Sequence, residues 1–108
     1  MKRERNLWHK KLSDMIKICK NQGIAVKFVP DAKTRDYLGM NPEAGKDMGF
    51  KIPARTLYVD RNLDTPEKYE VLRHELVEYN AMKNKGMKYF PAHVLALNDE
   101  KVVTEQGC

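Results

Sequence analysis

The sequence predicts an α+β fold, on three observations. Apolar residues recur at three- and four-residue spacing in three stretches. Two short runs rich in β-formers lie between the first and second of these stretches. The chain has 108 residues, the length of one domain and not two. The expected order is helix, strand, strand, helix, helix, with a short sheet of two strands or slightly more. A single domain over 1–108 then divides into a basic amphipathic helix (1–22), an irregular loop (30–54) and a strand-helix-helix unit (55–104).

Residues 4–22 read as the first helix. Trp8, Leu12, Met15, Ile16 and Cys19 share one side, and Lys10, Lys11, Lys17 and Lys20 keep to the other. Asn21, Gln22 and Gly23 supply a stop, glycine suiting the left-handed position past a helix end. The run from Ile24 to Val29, closed by Pro30, reads as a strand. Residues 30–54 are punctuated by Gly39, Pro42, Gly45, Gly49 and Pro53, with one helical turn expected near 34–38. A loop of that length in a small domain is often mobile or functional, and 39–53 is placed to gate or line a cleft. Residues 55–60 form the second strand, Leu57 and Val59 alternating with Thr56 and Tyr58.

The clearest helix follows. Asp64 and Thr65 offer caps, Pro66 suits the first helical position, and Glu67 and Glu70 favour the positive helix end. Its periodicity runs to Lys85, and Gly86 ends it. A last helix begins at Pro91 and continues to about Val103.

Composition narrows the function classes. No apolar run approaches the roughly 18–20 residues that span a bilayer, so no membrane role is expected. The charged N-terminus leads into no apolar signal-peptide core, and a cytoplasmic location is the expectation. Cys19 falls in the apolar repeat and Cys108 at the last position, so two free thiols are expected and no bridge. The net charge of +5 is uneven: residues 1–36 carry ten Lys/Arg against four Asp/Glu, and residues 37–108 carry ten against eleven. Lys10, Lys11, Lys17 and Lys20 therefore offer a surface for nucleic acid or an acidic partner, or simply a solvated helix face. Only Trp8 and Phe28 are aromatic before Tyr37, so no base-stacking platform is evident.

The second long helix contains Arg73-His74-Glu75-Leu76-Val77-Glu78. His74 and Glu78, four apart, lie on one face a turn from each other, the spacing a single cation needs. Glu75 is turned by about 100° from His74, the place of a general base acting on bound water. This is the logic of the HExxH helix with glutamate as the second ligand. Tyr69, Leu72, Leu76 and Tyr79 form the main apolar stripe, while Val71, Val77, Ala81 and Met82 flank the His/Glu pair. A solvated face carries Lys, Arg and Gln instead, so the pair is expected under partial cover, where an unpaired carboxylate is costly. The alternative is a run of ordinary i,i+3 and i,i+4 charge pairs among Glu70, Arg73, His74 and Glu78.

The strand at 57–60, the capped helix and the HELVE stretch resemble the core of zincin metallopeptidases, especially their smallest one-domain members, over roughly residues 55–100. The resemblance implies a zinc-dependent, peptidase-like hydrolase, or a degenerate metal-binding relative, acting on peptide or protein. It implies His74 as the first ligand and Glu75 as the base that polarises zinc-bound water. Glu78 stands where the family carries histidine, and glutamate oxygen is an acceptable zinc donor. More loosely, the tract Gly86, Tyr89, Ala92-His93 and Glu100 is similar to small phage-associated proteins bearing an HExxE helix.

A third ligand must come from outside this helix. His93 completes a two-histidine, one-glutamate set, and Glu100 is the reserve, the residue type that glutamate-ligand zincins use. If the two helices turned near Lys88, Asp99 and Glu100 would come level with residues 74–78, and His93 would reach the site only through an extended 86–90 segment. Tyr79 and Tyr89 are the candidates to stabilise an oxyanion. Zinc is the expected cofactor, although a His/Glu set also accepts manganese, iron or nickel. The alternative function is non-enzymatic: a small basic binding module contacting its partner through the N-terminal helix. His9, beside Trp8, reads as surface.

Overall fold

A computed structural model describes residues 2–30, 37–49 and 51–105, with side chains for those between 7 and 99. The described elements are α1 (Lys2–Asn21), β1 (Ala25–Val29), β2 (Gly39–Met40), α2 (Pro42–Met48), β3 (Thr56–Asp60), α3 (Thr65–Asn84) and α4 (Tyr89–Glu105). The α+β layout expected from sequence is the one observed.

α1 ends as its glycine requires. Gly23 has φ +75, its N–H reaches Lys20 O at 2.9 Å, and the Ile24 N–H reaches Cys19 O at 2.9 Å. This paired closure satisfies carbonyls the helix end would otherwise leave open. It also turns the chain straight into β1. Met15, Cys19 and Ile24 join the core, with Trp8, Leu12 and Ile16 packed against it.

The sheet order is β1-β3-β2. β1 and β3 run parallel with Ala25 opposite Thr56 and Val29 opposite Asp60. β2 is antiparallel to β3, with Gly39 opposite Val59 and Met40 opposite Tyr58. Because β3 is central, the expected alternation is blunted: Thr56, Leu57, Val59 and Asp60 are all buried.

The stretch 30–54 is not an irregular loop throughout. It carries β2 and the seven-residue α2. α2 has a full set of signals: Asn41 as N-cap, Pro42 in the first turn, Glu43 at the positive end and Gly49 left-handed at the close. Read as punctuation, Pro42, Gly45 and Gly49 conceal that signature. The helical turn expected near 34–38 falls mostly outside the described residues; Tyr37 and Leu38 are not helical.

α3 lies between α1, the sheet and α4, so it is covered on several sides. Tyr69, Leu72, Leu76 and Tyr79 enter the core with Leu57 and Val59. Asp64 caps it, accepting the Glu67 N–H at 3.0 Å. α4 begins at Tyr89, earlier than Pro91, which its first turn accommodates because no N–H is needed there. Ala92 and Ala96 are fully buried, small residues that bring α4 close against α3. Arg73 Nε and Nη2 donate to Asp99 at 2.7 and 3.2 Å, and Nη1 donates to the Tyr69 hydroxyl at 3.0 Å. The Tyr69 ring in turn meets Trp8 edge-on at 5.7 Å. One chain of contacts thus ties α1, α3 and α4 together. Among the described residues no helix is long and apolar enough to cross a membrane.

Burial in this core pushes the Cys19 thiol up to about 11. The thiolate is the reactive form, so Cys19 should resist alkylation by iodoacetamide at pH 8 in the folded protein and react after denaturation. Peptide mapping of the labelled protein checks this, and rapid labelling of Cys19 in the native state would contradict the packing.

Candidate metal centre

Two segments converge on the middle of α3. β2 brings Asn41 from one side, α4 brings His93 from another, and α3 itself contributes His74, Glu75 and Glu78. The approach of β2 is close because residue 39 lacks a side chain. A Cβ at Gly39 would lie 2.6 Å from Val71 Cγ1, 2.9 Å from Glu75 Cγ and 3.1 Å from the Tyr58 carbonyl oxygen.

His74, Glu78 and His93 come together as the sequence predicts. Glu78 Oε2 lies 3.1 Å from His74 Nε2 and 2.9 Å from His93 Nδ1, and the two ring nitrogens are 3.2 Å apart. The expected turn near Lys88 is where the observed hairpin differs. Arg73 pairs with Asp99 and Glu78 with His93, so the turn centres near Lys85 and Gly86. That shift brings His93, not Asp99, level with Glu78, and no extended 86–90 segment is needed. The Glu100 side chain lies outside those described.

The triangle of donors has a consequence. A ring nitrogen is at any moment either donor or acceptor. With Glu78 ionised, no placement of protons makes all three contacts favourable: two N–H groups oppose each other, or an imidazole lone pair opposes the carboxylate. A cation at the centre accepts electron pairs from all three. A tetrahedral zinc with ligands at about 2.0–2.2 Å holds them roughly 3.3–3.5 Å apart, so these side chains need open only by a few tenths of an ångström. The donor set therefore fits a divalent metal.

Burial strengthens the case. Glu75 and Glu78 are 6% and 2% exposed, and such carboxylates are costly without compensation. Burial pushes Glu78 up, but the hydrogen bonds and charge of His74 and His93 outweigh it and hold the carboxyl below its ordinary range. Asn41 Nδ2 donates to Glu75 Oε1 at 2.9 Å and to Glu78 Oε1 at 3.1 Å. Asn41 is absent from the sequence-based site; its signal was the Asn-Pro pair that opens α2.

The four α3/α4 side chains border a cavity of about 190 Å³. Leu38, Met40, Ala44, Met48, Val71 and Tyr89 supply much of the rest of its wall, so part of the stretch 39–53 lines the cleft, as expected. Tyr89 stacks on the His93 ring at 5.4 Å. Its hydroxyl is pushed up to about 12 by burial and then by the Glu78 and Glu75 carboxylates, so it remains a hydrogen-bond donor. Tyr79 faces the core and its hydroxyl accepts from Lys83 Nζ at 3.2 Å. Of the two tyrosines, only Tyr89 lines the cavity.

None of the described basic side chains of α1 lines this cavity. Lys10, Lys17 and Lys20 are exposed, as is His9, and Lys11 sits over the Trp8 ring at 4.6 Å. Comparison of the chain with protein families, curated proteins and solved structures found no match.

The Gly39 contacts predict that Gly39→Ala destabilises the fold by about 1–3 kcal/mol, the usual scale of overpacking. Val71 is stiff at its branch point and the Tyr58 carbonyl belongs to the central strand, so neither yields easily. Thermal denaturation of the variant measures this; an unchanged midpoint would show that β2 can lift away from α3 freely.

Proposed function

We propose that this chain is a metal-dependent hydrolase of the zincin kind, acting on peptide bonds, with zinc held by His74, Glu78 and His93. One observation carries the reading: two imidazole nitrogens and a buried carboxylate oxygen converge within 3.2 Å of one another on the wall of a cavity that Glu75 also lines. Two histidines and a glutamate are the ligand set of catalytic rather than structural zinc sites, in which the fourth position is left for water. The resemblance of HELVE and its capped helix to the zincin core supports the same reading.

When bound, zinc supplies Lewis acidity, bringing the pKa of a coordinated water toward about 7 and polarising the carbonyl under attack. Glu75 takes the proton from the attacking water and returns it to the leaving amine nitrogen as the C–N bond breaks. Tyr89, protonated and beside the carboxylates, donates a hydrogen bond to the oxygen on which negative charge develops. The apolar walls lower the local dielectric, which strengthens each of these interactions.

Elemental analysis of the purified protein tests the centre. About one equivalent of zinc per chain is expected in the wild type, with little or none in His74→Ala and His93→Ala. Glu75→Gln should retain its metal and lose peptide hydrolysis by about 10²–10⁴-fold, the usual worth of a positioned general base. Equal metal content in the wild type and His74→Ala would refute the site, and iron or manganese in place of zinc would redirect the chemistry.

A further inference from the structure

We propose that Asn41 is a positioning residue that aims both glutamates of the centre and makes Glu78 a one-oxygen ligand. This inference rests on the metal reading above. Asn41 is fully buried, and its amide has no rotational choice. Oδ1 accepts the Ala44 N–H at 2.9 Å as the cap of α2, so Nδ2 must face the other way, toward α3. The two Nδ2 protons meet two acceptors there, Glu75 Oε1 at 2.9 Å and Glu78 Oε1 at 3.1 Å.

The division of Glu78 is the main consequence. One oxygen is pinned by Asn41, and the other takes both histidines at 3.1 and 2.9 Å. A carboxylate free to rotate presents both oxygens to a cation; one held by an amide on Oε1 presents Oε2 alone. One-oxygen ligation by Glu78 would leave room for water at a bound metal, as a hydrolytic zinc site requires. The same amide fixes the Glu75 carboxylate relative to Glu78, three residues apart on α3. Asn41 is itself held rigid by Pro42, whose φ is locked, and by the close seat of Gly39 against Val71 and Glu75. Partners of this kind are tuned nearly as tightly as the ligands themselves.

Serine and aspartate are both good N-caps, so Asn41→Ser and Asn41→Asp keep α2 closed while removing the two donors. Serine is too short to reach α3. Aspartate keeps the shape but turns an acceptor toward two carboxylates. The probe is Co²⁺, titrated into metal-free protein and followed by its visible absorption, which reports coordination number and geometry. We expect Asn41→Ser to bind Co²⁺ about 10–100-fold more weakly than the wild type, with altered bands. Asn41→Asp is expected to shift the bands whatever its affinity, because Glu78 is released from its one-oxygen pose. If the serine variant fails to fold, the aspartate spectrum decides alone. Wild-type affinity in Asn41→Ser, or a wild-type spectrum in Asn41→Asp, would overturn the role of Asn41 and leave the metal centre standing. A wild type that takes up no Co²⁺ would remove the centre and this inference together.

Discussion

Burying two carboxylates on the middle helix is the constraint around which the rest of this structure is arranged. α3 is walled by α1, the sheet, α2 and α4, so the face carrying Glu75 and Glu78 has little access to solvent. An ionised carboxylate in such a place needs donors or a counter-charge. The chain brings partners from two separate elements: His93 from α4 and the Asn41 amide from the cap of α2. Neither lies near Glu78 in sequence, and the folds of 37–49 and 85–93 are shaped by the need to bring them there.

Register does the delivering. The bidentate Arg73–Asp99 pair and the Glu78–His93 contact lie on the same antiparallel hairpin and fix the same alignment. Ala92 and Ala96 let α4 lie close, which places a short imidazole side chain within reach of α3. On the opposite side Gly39 lets β2 press in against Val71 and Glu75. The centre is thus clamped between two approaches that each depend on small residues, and the rigid core beneath it, Leu57, Val59, Leu72 and Leu76, sets the height at which they meet.

Much of this was legible in the sequence, and the reasons differ by element. α1, β1, β3 and α3 follow from spacing and caps because their apolar faces meet one another, so local pattern and tertiary burial agree. The i,i+4 relation of His74 and Glu78 is a property of any helix, and Glu75 follows from it. His93 was a candidate by residue type, but its reach turned on the hairpin turn, and a difference of two or three residues at Lys85–Lys88 decides which α4 residue comes level with Glu78. Asn41 was hidden because its two roles belong to different scales. The cap on α2 is local and readable from Asn41-Pro42, whereas its bonds to Glu75 and Glu78 span 34 and 37 residues and follow only from the sheet order β1-β3-β2. The Glu100 side chain lies outside those described, and Lys10, Lys17 and Lys20 of α1 lie exposed on the surface.

Glutamate at position 78 also sets the charge of the centre, and this bears on what surrounds it. Were a metal held there, both histidines would be neutral ligands, and ionised Glu75 and Glu78 would carry a formal charge of −2, which one divalent cation balances. A histidine at 78 would leave the same centre at +1 in a low-dielectric pocket, and a nearby acidic group would be needed to offset it. Among the described residues that line the cavity there is no lysine, arginine or aspartate, and those besides His74, Glu75, Glu78 and His93 are apolar or aromatic. A neutral centre suits such walls, since they offer an uncompensated charge little to relieve it. The glutamate, the amide that holds it and the apolar residues described around them are therefore parts of one electrostatic solution, in which a change at position 78 alone would leave the remaining parts mismatched.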